Sequence, residues 1–384
     1  MYKKLVFLAD SLHYNDYTRR IFYQRINWLA ENSEYKIYLI LTEKNKKPIR
    51  NELSSKVEVI NLDINYEKLR KENTIKRMVL YTKKLYLHRK RLTQLLRKIR
   101  PIATISTMEK ELCFLSSIKG GGQKIYEIYH SKYDYIKPAN RKPSAFISTL
   151  PIRLRLMYLK LMIGKHGILV VNSERMKHEW SKGFKRIVSI PNPLEHYPIL
   201  REKCESQKVI AIGDYASDSG FDHVIDMWER ITKKYPEWRL HLYGNGNIES
   251  YKEIVKKNHM SRSIQCYDYP NNLREIYPKY AIFIQTCKFD KLGQHLMEAM
   301  SFSLPCVAYD VAYGPQDLIS DERNGFLIKP NHLVDFASKV GLLSRNEELR
   351  YNMGRNAHAS IHKFEQSEIM KEWINLYASA YSHK

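Results

Sequence analysis

The chain has 384 residues and a formal net charge of +23, from 64 lysines and arginines against 41 acids. Hydrophobic residues make up 43% and charged residues 27%, which excludes a disordered chain and allows two domains of the usual ~100–200 residues. No run reaches the ~18 apolar residues of a membrane span. The amino terminus, MYKKLVFLADSLHYND, carries too short an apolar run for a signal peptide and reads as a first strand. The five cysteines lie far apart, with no spacing for zinc or a disulfide framework. These features point to a reduced, cytoplasmic protein attracted to an anionic surface.

In chain order, Lys4–Ala9 predicts a strand and Tyr17–Asn32 a helix with Ile21, Ile26, Trp28 and Leu29 as its apolar positions. Tyr35–Leu41 and Val57–Leu62 return as strands. This alternation predicts an α/β fold, a parallel sheet with helices on both faces. Residues 68–100 are strongly basic, thirteen lysines and arginines against Glu72. Leu80, Leu85, Tyr86, Leu92, Leu95 and Leu96 are interleaved at helical spacing. A basic amphipathic helix suits an anionic membrane surface. The plainer alternative is a solvated outer helix with its stripe in the core, and both can hold. Nucleic acid is not expected, because no recognised binding module accompanies the charge.

Pro101–Ser106 and Lys124–Tyr129 are the next strands, the second after the Gly120-Gly121-Gly122 turn. His130 follows at the strand end, where it can bond a hydroxyl or be an ordinary loop histidine. Residues 137–166 mix bases with apolar side chains, as an acceptor groove or as an ordinary loop and helix. Ile168–Val171 predicts a strand, with Ser173 as N-cap of the helix after it. Ile187–Ile190 leads into Pro191-Asn192-Pro193, an extended linker. The first domain is therefore expected over 1–190.

The second domain, 191–362, opens with the strand Val209–Gly213. A helix at Phe221–Lys234 follows, then a strand at Arg239–Tyr243 that ends in Gly244-Asn245-Gly246. Ile264–Tyr267 is a further strand, and Tyr267-Asp268-Tyr269 at its end can border a base or belong to the core. Residues 281–328 then read as strand, loop, helix, strand, loop. Gly293 opens the helix, and Leu296, Met297, Ala299 and Met300 give it a core face. Ligands bind at the carboxyl ends of such parallel strands. Asp290 and Glu298 lie there, and the amides of Leu292, Gly293, Gln294 and His295 open the helix in a way that suits a phosphate. Helices at Val334–Leu343 and Asn346–His362 close the domain. Phe364–Tyr381 carries Ile369, Met370, Trp373, Ile374 and Tyr377 at helical spacing.

Asp290, seven residues, then Glu298-Ala299-Met300 resembles the signature of family-four retaining glycosyltransferases of the GT-B fold. Tyr313–Ile319 (YGPQDLI) and Asn324–Ile328 (NGFLI) resemble the bacterial cell-surface polysaccharide branch of that family. The resemblance implies two Rossmann-like domains facing across a cleft, with residues 363–384 crossing back to the first. It implies that Glu298 holds the ribose of a nucleotide sugar and that Asp290 sits beside the transferred sugar. The 292–295 amides would bind the diphosphate, Gly213 and Gly244 would belong to the donor loops, and His130 would meet a sugar hydroxyl.

The chain also departs from the family. Asp replaces Glu at 290, and residues 15–20 contain no glycine. Asp214 and Ser219 stand where the family has Arg and Lys. Lys291 and Lys288 flank Asp290 and can substitute as cations. The function implied is transfer of a hexose or N-acetylhexosamine from a nucleotide diphosphate sugar, UDP first, to a growing glycan or polyprenyl-linked acceptor. Transfer would be retaining, without cofactor or metal, on the cytoplasmic face of the membrane. The alternative is a non-catalytic protein of the same fold that has lost donor chemistry, favoured by Asp214, Ser219 and the glycine-free loop.

Overall fold

The computed structural model describes residues 3–10, 17–43, 53–71, 73–129, 152–201, 205–216, 219–287, 293–311 and 314–382. It divides into two compact units, Met1–Pro191 with Ile369–Lys384, and Asn192–Glu368. The first contains β1 (Lys4–Ala9), α1 (Tyr17–Asn32), β2 (Lys36–Leu41), β3 (Glu58–Asn61), α2 (Thr74–Ile99), β4 (Ala103–Ser106) and β5 (Gln123–Glu127). It continues with α3 (Ile152–Ile163), β6 (Ile168–Val171), α4 (Glu174–Ser181) and β7 (Ile187–Ser189). The strands pair in the order β3-β2-β1-β4-β5-β6-β7, and their pairings are parallel. A parallel sheet is covered on both faces, so inner strands such as β1 read as continuous apolar runs rather than alternating. Leu5, Val6 and Phe7 of β1 are fully buried for that reason.

The basic stretch 68–100 is not one helix. Tyr66–Lys71 is a 3-10 turn, and α2 starts only at Thr74, where Asn73 accepts a bond from the Lys76 amide. The helix stops at Arg100, which is left-handed at φ 55° and bonds back to the Leu96 carbonyl ahead of Pro101. Only its second half is anchored in the core, through His88, Leu92, Leu96 and Ile99.

The second unit holds β8 (Lys208–Tyr215), α5 (Phe221–Thr232), β9 (Arg239–Gly246), α6 (Ile248–Lys257), β10 (Ile264–Asp268) and β11 (Ile282–Gln285). Then come α7 (Gln294–Ser301), β12 (Cys306–Tyr309), β13 (Gly325–Ile328), α8 (Leu333–Arg345) and α9 (Glu347–Ile361). The sheet order is β10-β9-β8-β11-β12-β13, again with parallel pairings. Val224, Ile225, Trp228 and Ile231 line the inner face of α5 at helical spacing. They pack with Trp238, Phe336 and the strand residues into one core.

The last helix, α10 (Gln366–Ser382), has its residues from Ile369 onward in the first unit. The return to that unit comes at 369 rather than 363, because the Leu194 amide bonds the Phe364 carbonyl and ties residues 362–368 to the second unit. In the first unit the Arg25 guanidinium lies 3.8 Å over the Trp373 ring and 2.5 Å from Glu127. Tyr377 packs edge-on against Phe7 and Tyr35.

Candidate functional site

In the second sheet the strand order reverses between β8 and β11. Ligands of open α/β sheets bind beyond the carboxyl ends of the strands at such a point. The loops leaving these two strands are tied together there. The Thr286 hydroxyl, just past β11, donates to the Gly220 carbonyl at 2.9 Å ahead of α5. Thr286 is 2% exposed, so this bond works in a dry setting.

Helix α7 follows on the crossover from β11 to β12. Its N-cap is Gly293, in the left-handed region at φ 61°, where a side chain would also strike Leu318 at 2.7 Å. Gln294 and His295 lie in the first turn, whose amides have no acceptor within a helix. Glu298 sits one turn further on, half-buried.

Its carboxylate is oriented from two sides. Gln294 Nε2 donates to Oε1 at 2.9 Å, and the Tyr277 hydroxyl donates to Oε2 at 3.2 Å. Each carboxylate oxygen can accept about two bonds, so each keeps acceptor capacity. Tyr277 is fully buried, and that burial first, then the Glu298 charge, raises its phenol well above the ordinary value. It therefore stays a donor. Tyr277 also reaches the His295 carbonyl at 3.3 Å, and the His295 ring meets the Tyr269 hydroxyl at 3.1 Å. The result is a fixed carboxylate beside a helix amino terminus, with Tyr269 from the loop after β10 alongside. Such a pair can hold two vicinal hydroxyls on one side and an anion on the other.

Asp290, Lys291, Leu292, Lys288 and His130 lie outside the described residues, as do Tyr313 and residues 15–16. Strands β8 and β9 run further than their sequence suggests, through Tyr215 and Gly246, so Gly213 and Gly244 are paired strand residues rather than loop residues. The reason is steric. A Cβ on Gly244 would lie 2.2 Å from the Gly213 carbonyl oxygen, so glycine lets the two strands continue together. Asp214 is an exposed residue at the end of β8, and Ser219 donates to the Ala216 carbonyl at 2.8 Å, closing its own loop. Tyr267 stacks on Tyr243 with centroids 4.9 Å apart, in a cluster with Tyr280 and His241. In the NGFLI stretch, Asn324 is a buried brace: it accepts from the Ser320 amide and donates to the Leu318 carbonyl and the Ser360 hydroxyl.

Residues 195–360 match the family model described as glycosyl transferases group 1. That match fills most of the second unit, Asn192–Glu368. A protein named uncharacterized glycosyltransferase from Haemophilus influenzae is 29% identical over 53% of this chain and 59% of its own length. The poly(ribitol-phosphate) alpha-N-acetylglucosaminyltransferase of Staphylococcus aureus is 26% identical over 50% of this chain and 38% of its own. The chain thus spans less than two thirds of the length of these curated relatives. Among solved structures, TarM superposes with a TM-score of 0.78 at 15% identity, covering 98% of this chain and 99% of that one. A TarM mutant from S. aureus, in complex with fondaparinux, alpha-GlcNAc-glycerol and UDP, gives 0.75 over the same shares at 15% identity. This likeness shows the fold, which is GT-B.

Tyr277, Thr286 and the side chain of Gln294 were not legible as site residues. Gln294 lies four residues before Glu298 on one helix, a spacing that signals their contact. Tyr277 is 21 residues upstream in a separate turn, and no sequence spacing links it to Glu298.

Proposed function

We propose that this chain transfers a hexose or N-acetylhexosamine, with retention, from a nucleotide diphosphate sugar to a growing cell-surface glycan or lipid-linked oligosaccharide. The observation that carries the reading is the Glu298 carboxylate, held by Tyr277 and Gln294 one turn into α7 at the strand-order reversal. In this reading Glu298 accepts the two ribose hydroxyls, and the amides at 292–295 take the diphosphate. Asp290 and His130 act beside the transferred sugar, and Lys291 offsets donor charge in place of the Arg and Lys replaced by Asp214 and Ser219. No metal or cofactor takes part.

UDP is the preferred nucleotide because the superposed TarM mutant structure contains it. The S. aureus relative is named for an alpha-linked product, which is what retention gives from an alpha-configured donor. No helix among the described residues is long and apolar enough to cross a membrane. Work at the cytoplasmic face of the membrane then rests on the basic stretch 68–100, drawn to anionic lipid. Thermal shift with UDP, GDP and their sugars tests the donor site. Stabilisation by UDP or a UDP-sugar is expected. No response to any of these ligands overturns the reading in favour of a non-catalytic protein.

A further inference from the structure

The first unit carries two helices that expose apolar side chains to solvent. On α2, Ile75 is 79% exposed, Val79 51% and Tyr86 72%. Their spacing of four and seven puts them on one stripe, turned away from the face that buries His88, Leu92 and Leu96. On α3, Leu154, Met157 and Leu161 are all exposed, at spacings of three and four, opposite buried Leu159 and Ile163. Both helices pack against the turn Lys110–Cys113, which brings them to the same part of this unit.

The charge around the stripes selects the occupant. Residues 74–99 contain nine lysines and arginines and no acid, and residues 152–163 contain three and no acid. Two of these bases are structural: Lys84 donates to the carbonyls of Ile64 and Asn65, and Arg91 to that of Leu62. Lys83, Arg89 and Lys90 instead stand exposed beside the apolar stripe of α2. Apolar side chains rimmed by bases match the boundary between anionic headgroups and acyl chains, and an aromatic such as Tyr86 suits the headgroup level.

We infer that α2 and α3 together dock the protein on an anionic bilayer, with Met157, Leu161, Ile75 and Val79 entering the acyl boundary. This rests on the membrane placement above and adds an apolar insertion through a second helix. Charge alone gives binding that salt abolishes, whereas insertion leaves a salt-resistant part.

The test is co-sedimentation of the full chain with phosphatidylcholine vesicles containing about a third phosphatidylglycerol, and with pure phosphatidylcholine, at low and high salt. Binding to the anionic vesicles is expected, with a fraction surviving high salt. Met157→Gln with Leu161→Gln should lower vesicle partitioning about tenfold or more and remove that fraction, while retention on heparin stays unchanged. Lys83→Gln with Arg89→Gln and Lys90→Gln should weaken binding mainly at low salt. Wild-type partitioning by the apolar variant, with loss in the basic variant, overturns insertion but leaves the charge-based placement standing. No loss in either variant overturns both. Self-association that the apolar variant dissolves, without vesicle binding, assigns the face to a second copy and also overturns the inference.

Discussion

The Tyr277 hydroxyl donates to Glu298 Oε2 at 3.2 Å from a ring that is fully buried. The two residues come from different elements, so their bond fixes where the α7 carboxylate points. Tyr277→Phe keeps the packed ring and removes the donor. UDP affinity is expected to fall about three- to tenfold, in line with ~0.5–1.5 kcal/mol for one hydrogen bond, with the fold retained. Calorimetric titration with UDP checks this, and an unchanged affinity would show that Tyr277 does not position the carboxylate.

Gly244 marks a place where strand packing requires glycine. The Cβ of Gly244→Ala would lie 2.2 Å from the Gly213 carbonyl oxygen, so β8 and β9 must separate. A loss of about 2 kcal/mol or more is expected, in the range of overpacking. Urea denaturation measures it. A variant as stable as wild type would mean that the strand ends open freely.

Much of this fold is legible in the sequence because both sheets are parallel. Runs such as LVFL and IFI are apolar throughout, and the prolines at 191 and 193 mark the linker. Strand ends are less legible. Gly213-Asp214 and Gly244-Asn245-Gly246 look like loops, yet the register between β8 and β9 continues through both. The basic stretch read as 68–100 also joins residues 68–71 to α2, because composition does not register that Asn73 is a cap. Glu298 is legible from its motif and helix, but the direction of its carboxylate depends on Tyr277, which only the folded chain brings near. His88 lies within the basic helix α2. It is buried against Tyr66 and Phe114, and burial lowers its pKa to about 4, so it is neutral at pH 7.

Arg25 and Glu127 form a buried pair 2.5 Å apart, each with its side chain 3% exposed. Removing one partner leaves an uncompensated buried charge. Glu127→Ala is therefore expected to cost roughly 3–5 kcal/mol, and Trp373→Ala a comparable ~3–5 kcal/mol from its lost ring volume. Chemical denaturation of the purified variants reads both. Losses below about 1 kcal/mol would show that α10 and this pair contribute little to the first unit.

Glu111 gives a pH signature. Burial first, and then the Asp10 charge, push its carboxyl from 4.5 up to about 7, while the Ser106 hydroxyl bonds it at 2.8 Å. The folded pKa lies above the unfolded one, so the folded state binds the proton more tightly. Its stabilisation is complete below about pH 4.5 and is lost as pH rises through about 7. Urea midpoints between pH 5 and 8 should fall for wild type by more than for Glu111→Gln, whose amide cannot titrate. Equal slopes in the two proteins would contradict the assignment.

The proposed donor site rests on Glu298, and one titration tests that most directly. UDP is titrated calorimetrically into wild type and into Glu298→Ala, with the fold of each checked by circular dichroism. Loss of a carboxylate that accepts ribose hydroxyls predicts a weakening of about 1.5–3 kcal/mol, roughly 10- to 150-fold. Equal UDP affinity in a folded Glu298→Ala variant would contradict the account.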